Sequence, residues 1–236
     1  MKVLVAVPFR PSSQEREVAL SWVLDRWHRD GFETSVGEPP EGPWNKALAV
    51  RAAIDGSDAD ILIVSDADVY CSGVDDAVNA VHRGAPWAKP HKLLHRLSPA
   101  STALVLAGTE PRPGMELDPD YPLSQRRGRT NQGWTGVDGG GIVVLHRDTY
   151  DDTPLDPRFQ GWGHEDTSWA RALTKLHGGP TRFAHDLFHL WHPRQEWITW
   201  GLGSVESDLL GRRYEKARTP EAMRALVDEA REVTLC

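Results

Sequence analysis

Residues 61–70 read ILIVSDADVY. An unbroken apolar run with no polar alternation is the pattern of a strand covered on both faces, and such a strand needs helices on both sides of its sheet. Carboxylates are costly to bury unless paired or bound to a cation, yet Asp66 and Asp68 follow the strand at once. A two-residue side-chain period puts them on the same side, as half of a metal site. The rest of the chain must supply the other half.

The same strand and helix alternation recurs. Residues 3–7 form an apolar run stopped by Pro8. Ser12 with Glu15 has the form of a capping box, predicting a helix with Val18, Trp22 and Val23 on its inner face and Gly31 as its stop. A strand is expected over 32–36 and a helix over 45–55. A further helix, capped by Ser72 and Asp75, turns Val74, Val78 and Val81 inward. Later strands are expected at 86–91, 103–106, 141–145 and 182–190, with a helix over 167–177. Two helices close the chain, the second starting at Pro220. This order predicts one α/β domain, whose ligands bind beyond the carboxyl ends of the strands. Residues 110–135 are rich in Pro, Gly and charge, and a loop of that length inside a compact domain is expected to be functional or mobile; Trp134 reads as part of a closing loop or as ordinary core packing.

Composition narrows the function classes. The net charge of -7 gives no overall pull toward nucleic acid or anionic membrane. Ten tryptophans are many for a chain of 236 residues, and a flat indole suits sugar rings, bases and interfaces. Cys71 and Cys236 offer no disulfide framework, which favours a reducing compartment, the cytoplasm. No segment is apolar for long enough to span a membrane.

Three further stretches carry groups able to do chemistry. FQGWGHEDTSW places Glu165 and Asp166 at a helix start behind two glycines and Trp162; acids are favoured there by the helix dipole, and glycines admit a ligand close to the backbone. FHLWHP sets His189 and His192 three apart. With Asp68 they make a donor set suited to Mn²⁺ more than to Mg²⁺, which prefers oxygen. The basic clusters His91–Arg96 and Arg126–Arg129 read equally well as anion contacts or as solvated, mobile faces.

The blocks VAVPFR, WNKALAVRAAI, ILIVSDADV, GGGIVVLHR and GWGHEDTSWARAL, in that order, resemble the β-1,4-galactosyltransferases. The GWG-x-ED block is also similar to the catalytic motif of polypeptide N-acetylgalactosaminyltransferases. Both are metal-dependent glycosyltransferases of the GT-A fold, an α/β/α sandwich. The resemblance implies a nucleotide-binding part over 1–70, an acceptor and catalytic part over 139–193, and helices over 203–236. Pro8, Phe9 and Arg10 would line the uracil and ribose pocket. Asn45 and Lys46 would face the nucleotide, with Asp66 near the ribose or the metal's water and Gly140 and Trp134 also on the donor side. Trp162 and Gly163 would contact sugars, and Glu165 would hold sugar hydroxyls. Asp166 would be the base. Asp68 and His192 would bind Mn²⁺ (or Mg²⁺), with His189 standing where the family has a methionine. His164 replaces a family glycine, and Thr167 and Ser168 replace two acids that contact the acceptor, so the family's acceptor preference does not transfer.

The resemblance implies a compact enzyme of the kind found in bacteria and phages, moving a sugar from a nucleotide-diphosphate sugar, a UDP-sugar, to a hydroxyl acceptor. Its ED pair, where retaining relatives carry Asn after Glu, favours inversion. Saccharide, protein side chain and modified DNA base all stay open as acceptors. Two other classes fit parts of the sequence. Paired carboxylates also serve metal-dependent phosphodiesterases and glycosidases, and tryptophan content alone would suit a non-catalytic carbohydrate-binding module.

Overall fold

A computed structural model describes residues 1–120, 138–193 and 204–235. The apolar runs become strands of one seven-stranded sheet, in the order β2-β1-β3-β6-β5-β7-β4. In chain order the elements are β1 (Val3–Pro8), α1 (Gln14–Arg29), β2 (Glu33–Gly37), α2 (Lys46–Ile54), β3 (Ile61–Ser65), β4 (Val69–Tyr70), α3 (Val74–His82) and β5 (Trp87–Arg96). Then come α4 (Pro99–Leu106), β6 (Ile142–His146), α5 (Arg147–Asp152), α6 (Glu165–His177), β7 (Thr181–His189), α7 (Val205–Lys216) and α8 (Pro220–Leu235).

β1 pairs in parallel with β2 and β3, while β6 runs antiparallel between β3 and β5. β5 and β7 are parallel, and the short β4 runs antiparallel to β7. The ends of β1, β3, β5 and β7 therefore reach the same edge, and so does the start of β6. That edge gathers Pro8, Asp66, Gly139–Gly141 and His189.

The two-residue period splits the core into two layers. Val5, Val7, Ile61 and Ile63 face α1 and α3, packing with Trp27, Val74 and Val78. Leu4, Ala6, Leu62 and Val64 face α2 and α6, packing with Val50, Ala53, Trp169 and Leu173. Trp27 and Trp87 are fully buried; truncating either to Ala is expected to cost about 3–5 kcal/mol. A third cluster, with Phe159, Leu210, Tyr214, Met223 and Val227, joins α7 and α8 to the outside of α6. Asp156 anchors this corner: it accepts from Arg158 and from the Tyr214 hydroxyl, at 2.9 Å for the latter.

Several local expectations are corrected. Ser13, not Ser12, caps α1, its hydroxyl accepting from the Arg16 N–H at 3.3 Å. The shift by one residue turns Ala19, Val23 and Trp27 inward and leaves Val18 exposed. Ser72 does not cap α3, whose N-cap is Gly73 without a side-chain bond. Residues 103–106 are helix, because Ser98 caps the segment and Pro99 starts it. His91–Arg96 is no mobile face: it lies in β5, where His95 is buried and pairs with Asp186 at 2.7 Å. Trp134, Arg126–Arg129 and most of the 110–135 loop lie outside the described residues. No described helix is long and apolar enough to cross a membrane.

Candidate active site

The two aspartates part company, contrary to the expectation that they share a side. β3 ends at Ser65, and the chain turns through Ala67 before β4, so strand periodicity stops between them. Asp66 turns toward α2 and β6. Asp68 turns toward the end of β7 and is buried, 6% exposed. There the Leu190 N–H donates to the Asp68 carbonyl at 2.8 Å, and Val69 pairs with His189. This backbone brace sets His189 Nε2 at 3.5 Å and His192 Nε2 at 3.2 Å from the two Asp68 oxygens. One ligand atom from each of the three side chains lies within 4.8 Å of the others.

His192 Nδ1 lies 3.0 Å from the Pro193 carbonyl, which can only accept, so Nδ1 carries a proton. Burial, then the charge of Arg96, lowers the His189 pKa to about 3, so this imidazole is a neutral ligand. Burial opposes charge on Asp68, but His189, His192 and Arg16 hold it well below the carboxylate range. A carboxylate with two imidazoles fits Mn²⁺ better than Mg²⁺.

A second cluster centres on Lys46, at the start of α2 and 7% exposed. Its ammonium donates to Asp66 Oδ1 at 2.7 Å and to Asp166 Oδ1 at 2.8 Å. Burial works against the charge, but Asp166 and Asp66 together hold Lys46 above its ordinary pKa. Asp66 also accepts from the Gly141 N–H at 3.1 Å, and its own N–H donates to Gly141 at 2.9 Å. Burial pushes the Asp166 pKa up, and Lys46 pulls it back. Glu165 is more fully enclosed, and its Oε2 has no hydrogen-bond partner among the described residues. Burial, then the neighbouring Asp166 charge, raises its pKa to about 7.

The loop before α6 presents Trp162 with its side chain 44% exposed. Gly163 and His164 both have positive φ, 112° and 70°, and His164 is the N-cap of α6 without a side-chain bond. His164 instead reaches α7, where its Nε2 is 3.5 Å from Asp208. Of the remaining expected residues, Pro8 ends β1 and Phe9 is buried under the Arg16 guanidinium, 5.6 Å from the ring centre. Arg10 donates to the carbonyls of Pro39, Pro40 and Gly42. An open groove of about 880 Å³ beside this loop contains none of the site's acids or histidines. Asn45 caps α2 through Leu48 N–H and donates to the Pro157 carbonyl at 2.8 Å. Gly140 lies in the turn leading into β6.

Sequence reading missed that Lys46 bridges the two acid groups. It also missed Lys89, only 1% exposed on β5 and 3.6 Å from Asp138, which in turn takes both Arg182 nitrogens. A lysine inside the otherwise apolar start of β5 was the available signal, because a charge there must be paired.

This architecture is the GT-A fold of nucleotide-sugar transferases, as the resemblance implied. Among solved structures, GalNAc-T7 with UDP, GalNAc and Mn²⁺ is 12% identical at a TM-score of 0.54, covering 98% of this chain and 55% of that one. Drosophila β1,4-galactosyltransferase 7 with xylobiose is 17% identical at 0.49, covering 93% and 83%. Glucosyl-3-phosphoglycerate synthase from Mycobacterium tuberculosis, with phosphoglyceric acid, is 12% identical at 0.44, covering 96% and 80%. At such identities the likeness is one of fold. No protein-family model matches the chain, and no curated protein matches it in sequence.

Proposed function

We propose that this chain is a metal-dependent, inverting glycosyltransferase that moves a hexosyl group from a UDP-sugar to a hydroxyl acceptor. The observation that carries the reading is the pairing of two clusters at one sheet edge: Asp68, His189 and His192 on one side, Asp66, Lys46 and Asp166 on the other.

Asp68, His189 and His192 would hold Mn²⁺, which offsets the charge gathering on a diphosphate leaving group. Pro8, Phe9, Arg10, Asn45 and Gly140 are assigned to the nucleotide side, with Asp66 near the ribose. Trp162 offers an exposed aromatic face to a sugar ring, and the Gly163 backbone admits it closely. Glu165, with its pKa near 7, donates or accepts a hydrogen bond at a sugar hydroxyl.

Asp166 takes the proton from the acceptor hydroxyl as that oxygen attacks the anomeric carbon. The bond from that carbon to the β-phosphate oxygen breaks, and the nucleoside diphosphate leaves with the electron pair. Attack opposite the leaving group inverts the configuration. Lys46 keeps a cation beside Asp166 before transfer, when the carboxylate must be charged.

A panel of nucleotide sugars with Mn²⁺, read by thermal shift and by release of nucleoside diphosphate with and without hydroxyl acceptors, tests the reading. Acceptor-dependent release supports it. Release at the same rate without any acceptor would point to a hydrolase, and carbohydrate binding indifferent to nucleotide and metal to a binding module.

A further inference from the structure

Lys46 touches both Asp66, assigned to the donor side, and Asp166, the proposed base. A lysine this deeply buried loses hydration, and its two carboxylate partners lose theirs, so the arrangement is a poor source of stability by itself. Its position gives it another use. The charged groups facing Asp166 are Glu165 on the same helix, Asp66 beyond β3, Lys46 on α2 and Lys89 on β5. Lys89 is backed by Asp138, which is shared with Arg182 of β7. The acids favour a proton on Asp166, and the lysines oppose it. Lys46 is bonded directly, through Oδ1 only, and Asp166 Oδ2 has no hydrogen bond among the described residues.

We propose that Lys46 is a positioning residue: it holds Asp166 ionised and aimed, with Oδ1 committed to the ammonium and Oδ2 left to receive the acceptor's proton. Through Asp66 the same ammonium links the base to the donor side, so Asp66 and Asp166 share one cation. The proposal rests on the reading of Asp166 as the base, although its central claim concerns the ionisation of Asp166 and is measurable without turnover.

The test follows the Asp166 carboxyl carbon by NMR across pH in the nucleotide-free protein, together with the pH dependence of transfer. Lys46→Met is expected to move the Asp166 titration and the acid limb of the rate profile upward by about one to three pH units, the effect of losing an adjacent opposite charge. The variant should therefore be slow at neutral pH and recover toward wild type in alkali. Lys46→Arg should restore most of the shift. Asp66→Asn should move the titration the other way, because it removes a negative neighbour and leaves Lys46 to Asp166 alone. It also keeps the proposal open to refutation if Lys46→Met fails to fold. An Asp166 titration unmoved by Lys46→Met, or raised by Asp66→Asn, overturns the proposal. So does a Lys46→Met rate lowered equally at every pH. A fully active Asp166→Asn enzyme would instead remove the base assignment and leave the titration result to stand.

Discussion

Gly139 lies directly against the backbone of Asp166: a β-carbon on Gly139 would stand 2.1 Å from the Asp166 carbonyl oxygen. The turn before β6 is thus fitted to the first turn of α6, and the same turn bonds Asp66 through Gly141. Gly139→Ala must push the turn and the helix start apart. Such overpacking costs about 1–3 kcal/mol. Thermal unfolding should show that loss, and transfer should fall by more than the lost stability explains, because a displaced Asp166 no longer meets the acceptor.

Asp166→Asn should lower transfer by about 10²–10⁴-fold, the usual loss when a positioned base is removed. Nucleotide-sugar affinity should change little, since Asn keeps the size of the side chain and can still bond Lys46. Proton NMR of the wild-type product should show the anomeric configuration opposite to that of the donor. Near-normal turnover of the variant, or a retained configuration, would move the base elsewhere.

Asp68→Ala and His192→Ala should each abolish Mn²⁺-dependent stabilisation by UDP, with His189→Ala milder. A ligand that binds only the folded state raises the unfolding temperature, by an amount that grows with the logarithm of its concentration above Kd, so thermal shifts with and without EDTA give the readout. Equal shifts in both conditions would remove the metal from this site, and a more damaging His189→Ala would reverse the ranking of the histidines.

Gly211→Ala offers a test of sign. In most helices this change stabilises by about 0.5–1 kcal/mol. Here the new β-carbon would lie 2.9 Å from Nδ1 of His164, the residue preceding the acid pair. Gly211→Ala should therefore destabilise the wild type and slow transfer, yet stabilise a His164→Gly background. A double-mutant cycle by urea unfolding measures the coupling, and additivity would show that His164 does not depend on α7.

His91 gives the stability a pH dependence. Burial, then Lys89, holds its pKa down to about 3, against an ordinary value of 6.5. The ring accepts from the Ile142 N–H at 3.4 Å, which requires a neutral nitrogen. Below pH 6.5 the unfolded chain takes up a proton that the folded chain refuses, so stability is full above that pH and is lost down to about pH 3. The slope is about 1.4 kcal/mol per pH unit for one such group. Urea unfolding at several pH values should show it, and His91→Gln, which keeps an acceptor for Ile142, should flatten it.

Much of the fold was legible because its signals are local. The runs at 3–7 and 61–64 carry their burial in their composition, and Asn45, Gly178 and Pro220 mark helix ends by their own backbone and side-chain preferences. The acids and histidines could be singled out for the same reason: charged or metal-binding groups beside buried runs are costly without a partner. Asp68 could be grouped with His189 and His192 in advance, but that Asp66 and Asp166 share Lys46 was not legible. Asp66 and Asp68 are two residues apart, yet one turns to Lys46 and the other to His189 and His192, because the strand has ended at Ser65, the chain turns at Ala67, and the neighbours arrive from distant segments. The 103–106 segment shows the same limit at smaller scale, its apolar residues fitting strand or helix until Ser98 and Pro99 set the start. Sequence by itself determined the periodicities and the supply of reactive groups. The pairing of those groups is a matter of angstroms between α2, β3, β6, α6 and β7, and only their packing decides it.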